Sequence, residues 1–179
     1  LDEFYRTSML VAGKPLLWWT IPPDREELYY QTRDALVRNN QLREVEYIDF
    51  GPLSDIPAGE FVSAALWQIY KAIDSPYKSV LKIQLLESYA DGSDTSDTLS
   101  RRYKQAVWEG TLQLDELDPY VMMCNKVEEY LISRGQTDRL ELARRCFYYK
   151  VGEPLSKGTG KRRKYDWRRE AMVNLAQRW

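Results

Sequence analysis

Proline placement constrains this chain more than any other feature. Pro22-Pro23 stands before Asp24, Pro57 near a run that follows Ser54, Pro76 after Ser75, and Pro119 after Asp118. Proline fixes φ near the helical value and lacks an N–H that the first helical turn leaves unpaired anyway. It therefore suits the start of a helix and not its interior. Read with the apolar periodicity, these positions predict helices over Asp24–Arg38, Ser54–Ile73, Tyr77–Ala90, Asp97–Glu109, Asp118–Arg134, Thr137–Leu155 and Asp166–Trp179. An opening helix over Asp2–Ala12 puts Leu1, Tyr5, Ser8, Met9 and Ala12 near one face, with Gly13 as its stop.

Two stretches escape this pattern. Lys14–Ile21 (KPLLWWTI) is a short apolar run that reads equally as a buried strand or a buried helix. Glu44–Phe50 (EVEYIDF) alternates, as a short strand or an extended loop would. The expected fold is all-α or predominantly α. It is an irregular helical lobe of about eight helices spanning residues 1–179, with short strands near 16–21 and 44–50 as the open alternative. The 54–73 helix carries Phe61, Ala64, Ala65, Leu66, Trp67, Ile69 and Tyr70 almost all round, and is expected to be central. The chain begins at Leu1 and ends on Trp179 within a helical pattern. Both ends read as cuts through a longer protein.

Composition then removes several chemistries. There is no histidine, which excludes Ser-His and Cys-His nucleophiles and histidine zinc sites. Catalysis would have to run on carboxylates, lysine, tyrosine or a bound metal. Net charge is −1, so no global field favours nucleic acid. The only two cysteines, Cys124 and Cys146, suit a reduced, cytoplasmic protein and read as buried small hydrophobes. No apolar run is long enough to span a bilayer.

The segment Trp67–Tyr89 (WQIYKAIDSPYKSVLKIQLLESY) carries the strongest chemical signal. Ser75, Lys78, Ser79 and Lys82 follow i, i+3, i+4, i+7 spacing, which sets hydroxyls and ammoniums on one stripe at a helix start. Lys71 lies just upstream and can converge on them. Unpaired N–H groups, hydroxyls and ammoniums together suit an anion, with a triphosphate as the natural ligand. The plainer alternative is a solvated lysine face.

Four blocks, LDEFYRTSMLVAGKPLLWW, AALWQIYKAIDSPYKSVLKIQLLESY, LDPYVMMCNKVEEYL and LARRCFYYKV, resemble successive blocks of the class I adenylate cyclases. These bacterial enzymes make cyclic AMP from ATP. The resemblance implies a helical part that follows a catalytic core of the nucleotidyltransferase fold. In that core, a Gly-Ser pair with a later Asp-x-Asp holds Mg²⁺ at the ATP phosphates. That signature is missing here. Gly92-Ser93 is followed too soon by Asp94 and Asp97, Glu44-x-Glu46 has no Gly-Ser before it, and Asp115 and Asp118 stand three apart. All three read as decoys, and family order puts the true block upstream.

The resemblance thus implies a lobe that helps bind the ATP triphosphate through Lys71, Ser75, Lys78 and Lys82. Arg6 and Lys14 are weaker candidates. No residue here is assigned to catalysis or to metal. Mg²⁺ would be held outside this chain, and the isolated chain would be inactive. Its partners would be ATP, the upstream catalytic segment and a downstream regulatory region of the same protein.

Rival readings rest on other features. Lys157, Lys161, Arg162, Arg163 and Lys164 form a flexible basic loop over 156–166, with Arg168 and Arg169 just after. Residues 157–169 could bind nucleic acid through phosphates, though few aromatics interleave them and no specific nucleic acid is expected. A helical structural or interaction module with no ligand of its own is the other alternative.

Overall fold

The computed structural model describes residues 10–11, 13–52, 58–91, 97–111, 113–152 and 167–179. In chain order the elements are β1 (Leu10–Val11), β2 (Lys14–Pro15), α1 (Leu17–Thr20), α2 (Tyr29–Arg38), α3 (Ala58–Lys71), α4 (Pro76–Ala90), α5 (Leu99–Trp108), α6 (Leu114–Leu117), α7 (Pro119–Ser133), α8 (Thr137–Val151) and α9 (Trp167–Ala176). Two 3-10 helices, Pro23–Leu28 and Glu44–Glu46, complete the set. The chain is predominantly helical, as its proline punctuation predicts. By contacts it divides into two compact units, residues 1–55 with 100–110, and 56–99 with 111–179.

In the first unit, most of the helix expected over Asp2–Ala12 lies outside the described residues. Leu10 and Val11 pair antiparallel with Pro15 and Lys14, and Gly13 turns the chain between them at φ +77°. The KPLLWWTI run is a single helical turn rather than a strand. One turn stacks Leu17 on Ile21, and both are fully buried against Tyr29. A strand would have set Trp19 on that same face. Beyond Lys14–Pro15, which form β2, the strand-like contact of the run among the described residues is a one-residue parallel bridge between Leu16 and Ile48. Leu17 N–H donates to the Ile48 carbonyl at 2.9 Å, and Ile48 N–H to that of Pro15 at 2.9 Å. Glu44–Glu46 is a 3-10 turn held by Arg43, whose N–H donates to Glu46 Oε2 at 3.2 Å. The helix expected over Asp24–Arg38 is divided where Leu28 departs from helical geometry, at φ −102° and ψ 27°.

A buried charge also sits in this unit. Lys104 is fully buried. Its Nζ donates to Glu26 Oε1 at 2.6 Å and lies 4.2 Å from the centre of the Trp18 ring. Burial pushes its pKa down and Glu26 opposes that, with burial the stronger.

In the second unit, α4 packs against α3, α7 and α8, and α7 packs against α8. Leu81, Met123, Cys124, Val127, Leu131, Ala143, Cys146, Phe147, Met172 and Leu175 form one core. Apolar side chains four apart on α7, such as Val127 and Leu131, supply the stripe that α8 covers. Both cysteines are free and buried, and burial raises both thiol pKa values. Asp118 starts α7 as its sequence suggests, accepting from Tyr120 N–H at 2.8 Å and Val121 N–H at 3.2 Å. Gly152 closes α8 at φ +68°, a conformation glycine adopts without a Cβ clash.

The helix expected to be central is not. Phe61 of α3 is buried, but Val62, Leu66, Trp67, Ile69 and Tyr70 are exposed, as is Ile73 just beyond. Apolar content alone does not fix depth: among the described elements, α3 packs chiefly against α4.

Candidate anion site at the α3–α4 corner

The corner is built by main-chain bonds. Asp74 and Ser75 N–H groups both donate to the Lys71 carbonyl, at 3.2 and 3.0 Å. The turn between α3 and α4 is therefore tight, and Lys71 and Ser75 lie close together. Ser75 occupies the N-cap position of α4, with Pro76 at the first helical position. Its hydroxyl makes no capping bond. The first-turn N–H groups of an uncapped helix keep their hydrogen-bonding capacity.

The ammoniums converge here. Lys71 is exposed, while Lys78 and Lys82 are half-buried. Lys82 has its pKa pushed down, first by burial and then by the charges of Lys78 and Lys71. Lys82 therefore feels both of the others. Among the described residues no carboxylate forms an ion pair with any of them. The Lys71 ammonium lies 5.1 Å from the centre of the Trp67 ring, a contact that their i, i+4 spacing makes legible in the sequence.

The remaining predicted positions separate. Ser79 is fully buried, with no partner for its hydroxyl, so it is not part of the exposed corner. Lys14 is exposed in β2 and belongs to the other unit. Arg6 lies outside the described residues, as does the basic loop over 156–166. A cavity of about 490 Å³ lined by Arg33, Asp34, Val37, Arg38, Glu44 and Tyr47 is in the first unit, away from these lysines in sequence.

Among the described residues, no three His, Cys, Asp or Glu side chains gather as a metal site would require. Three described carboxylates among the decoys have local partners: Glu46 pairs with Arg43, Asp97 with Lys126, and Asp118 caps α7. Among the described residues no helix is long and apolar enough to cross a membrane.

Comparison with known proteins places the helical unit that carries this corner in a family. Residues 56–179 match the family described as "Adenylate cyclase, class-I, second domain", beginning where the second compact unit begins. The chain belongs to the class I adenylate cyclase family. It is 44% identical over 179 residues to an adenylate cyclase of Salmonella typhimurium LT2, covering 100% of this chain and 21% of that protein. The figures are the same for an adenylate cyclase of Escherichia coli K12. For one from Proteus mirabilis the identity is 41%, again over 100% of this chain and 21% of the relative. The chain thus spans about a fifth of the length of the curated relatives it matches. No solved structure matches it.

Proposed function

We propose that this chain is the nucleotide-facing helical part of an adenylate cyclase that converts ATP to cyclic AMP and pyrophosphate. Lys71, Ser75, Lys78 and Lys82 hold the triphosphate. The observation that carries this reading is the convergence of three ammoniums at an uncapped helix start, with no carboxylate among the described residues paired to them. Like charges held together cost free energy in the empty protein, and a polyanion removes that cost. The work of these residues is to bind and orient phosphates. Mg²⁺ belongs outside this chain, with the upstream segment of the same protein. A downstream region would carry regulation, and all of this would lie in the cytoplasm.

Titration with Mg²⁺-ATP tests the reading. The wild-type chain is expected to bind saturably, and Lys82→Ala to weaken binding by about tenfold, the value of one charge-assisted contact. Inorganic tripolyphosphate should compete. Equal affinity in wild type and variant removes the assignment. The chain alone is expected to make no cyclic AMP.

A second reading, a helical interaction surface, draws on the exposed stripe of Val62, Leu66, Ile69, Tyr70 and Ile73 on and just beyond α3. A contiguous apolar patch is uncommon on a monomer that uses it for nothing. If the stripe docks the rest of the same polypeptide, Leu66→Asp should leave Mg²⁺-ATP affinity unchanged and lower cyclase activity of the full-length protein. Unchanged activity argues against that docking role.

A further inference from the structure

Beside the lysine corner stands an aromatic feature that phosphate binding does not use. Tyr77, in the first turn of α4, stacks on Tyr149 near the end of α8. Their ring centres are 4.9 Å apart and their planes 19° from parallel. Tyr148 meets Tyr149 edge-on at 5.8 Å. The pair is not buried: Tyr77 is 46% exposed and Tyr149 is 61% exposed. Among the described residues neither hydroxyl is committed to a hydrogen bond.

A tyrosine pair that serves only to clamp two helices would bury its rings in the contact. Here each ring gives one face to the other, and Tyr149 in particular leaves much of its surface in water. Tyr77 immediately precedes Lys78 and stands two residues after Ser75. Its Cα is therefore one peptide from that of a lysine of the corner. Successive helical residues lie about 100° apart around the axis, so the exposed π-surface flanks the lysine stripe at the start of α4. A ligand with a flat aromatic group at one end and several negative charges at the other matches this pairing.

We propose that the Tyr77–Tyr149 stack is the platform for the purine base of a nucleoside triphosphate whose phosphates sit on Lys71, Ser75, Lys78 and Lys82. This rests on the triphosphate reading above and adds the other half of the ligand. Stacking engages the face of a ring system and is tolerant of its edge groups. The platform therefore supplies affinity for a base without choosing between adenine and guanine.

The test compares ATP, GTP and inorganic tripolyphosphate by calorimetric titration of the whole chain, in wild type, Tyr149→Ala and Tyr149→Phe. Wild type is expected to bind ATP and GTP about tenfold more tightly than tripolyphosphate, the size of a single base–aromatic stack. Tyr149→Ala should lower nucleotide affinity to the tripolyphosphate level and leave tripolyphosphate itself unaffected. Tyr149→Phe keeps the ring and should restore the preference. The side chain is exposed, so the unfolding midpoint of each variant should stay near wild type. Tripolyphosphate binding without any advantage for ATP overturns the platform and leaves the lysine site standing. So does an ATP advantage that survives Tyr149→Ala. Binding of neither ligand removes both.

Discussion

Glu26→Ala is expected to destabilise the first unit by about 3 kcal/mol, the low end of what breaking a buried ion pair costs. Its partner Lys104 has no exposed surface and would be left buried beside the Trp18 ring without a carboxylate. The nearby Arg101 guanidinium, whose Nε lies 3.4 Å from Glu26 Oε2, would add repulsion rather than relief. Cation–π attraction, worth about 2 kcal/mol when desolvated, compensates only partly. Removing both charges as Glu26→Leu with Lys104→Met should recover most of the loss, since an apolar pair of similar volume needs no desolvation of ions. Denaturant unfolding followed by the fluorescence of Trp18 and Trp19 reads both. The pH dependence has a definite sign. Lys104 has a folded-state pKa below its unfolded one, so the charged form opposes folding at low and neutral pH. The loss in Glu26→Ala should shrink as pH rises through the folded-state pKa, where the amine becomes neutral. A change within about 0.5 kcal/mol, typical of a surface site, would mean that the pair is not a structural lock.

What the sequence shows of this fold is mostly its helix starts. Ser75-Pro76 and Asp118-Pro119 mark the starts of α4 and α7 to within one residue, because a proline at the first helical position is a local, steric signal. The signal fails where the determinant is tertiary. The KPLLWWTI run forms a helical turn because Leu17, Ile21 and Tyr29 meet in one small core, and no window of the run contains Tyr29. The apolar character of α3 suggests depth, yet depth depends on which elements cover a helix. The lysine corner is legible as a stripe by i, i+4 arithmetic. The convergence of Lys71 is suggested by sequence and built by the bonds that Asp74 and Ser75 make to its carbonyl. The Tyr77–Tyr149 stack is invisible in the sequence, since it joins two helices far apart in the chain.

Reversing two charges at the corner, Lys78→Glu with Lys82→Glu, should separate binding from stability. Each lysine lost removes a charge-assisted contact worth about 1.5–3 kcal/mol, so affinity for Mg²⁺-ATP or tripolyphosphate should fall about a hundredfold or more. Stability should move little, and the reason lies in the sign of the Lys82 shift. Its folded-state pKa is lowered by burial, Lys78 and Lys71, so its ammonium opposes folding below that pKa, and the penalty lifts as pH rises through it. The two introduced carboxylates repel each other at i, i+4 much as the two ammoniums did, while each gains attraction to Lys71 and to the N-terminal end of α4. The unfolding midpoint of the double variant should therefore match or exceed wild type while the ligand is lost. In the wild type, anion affinity should weaken toward alkaline pH as Lys82 loses its proton earlier than a solvated lysine would. If stability and affinity instead fall together, the lysines serve the α3–α4 packing and the phosphates have no claim on them. Such opposition between stability and binding is the mark of residues kept for a ligand rather than for the fold.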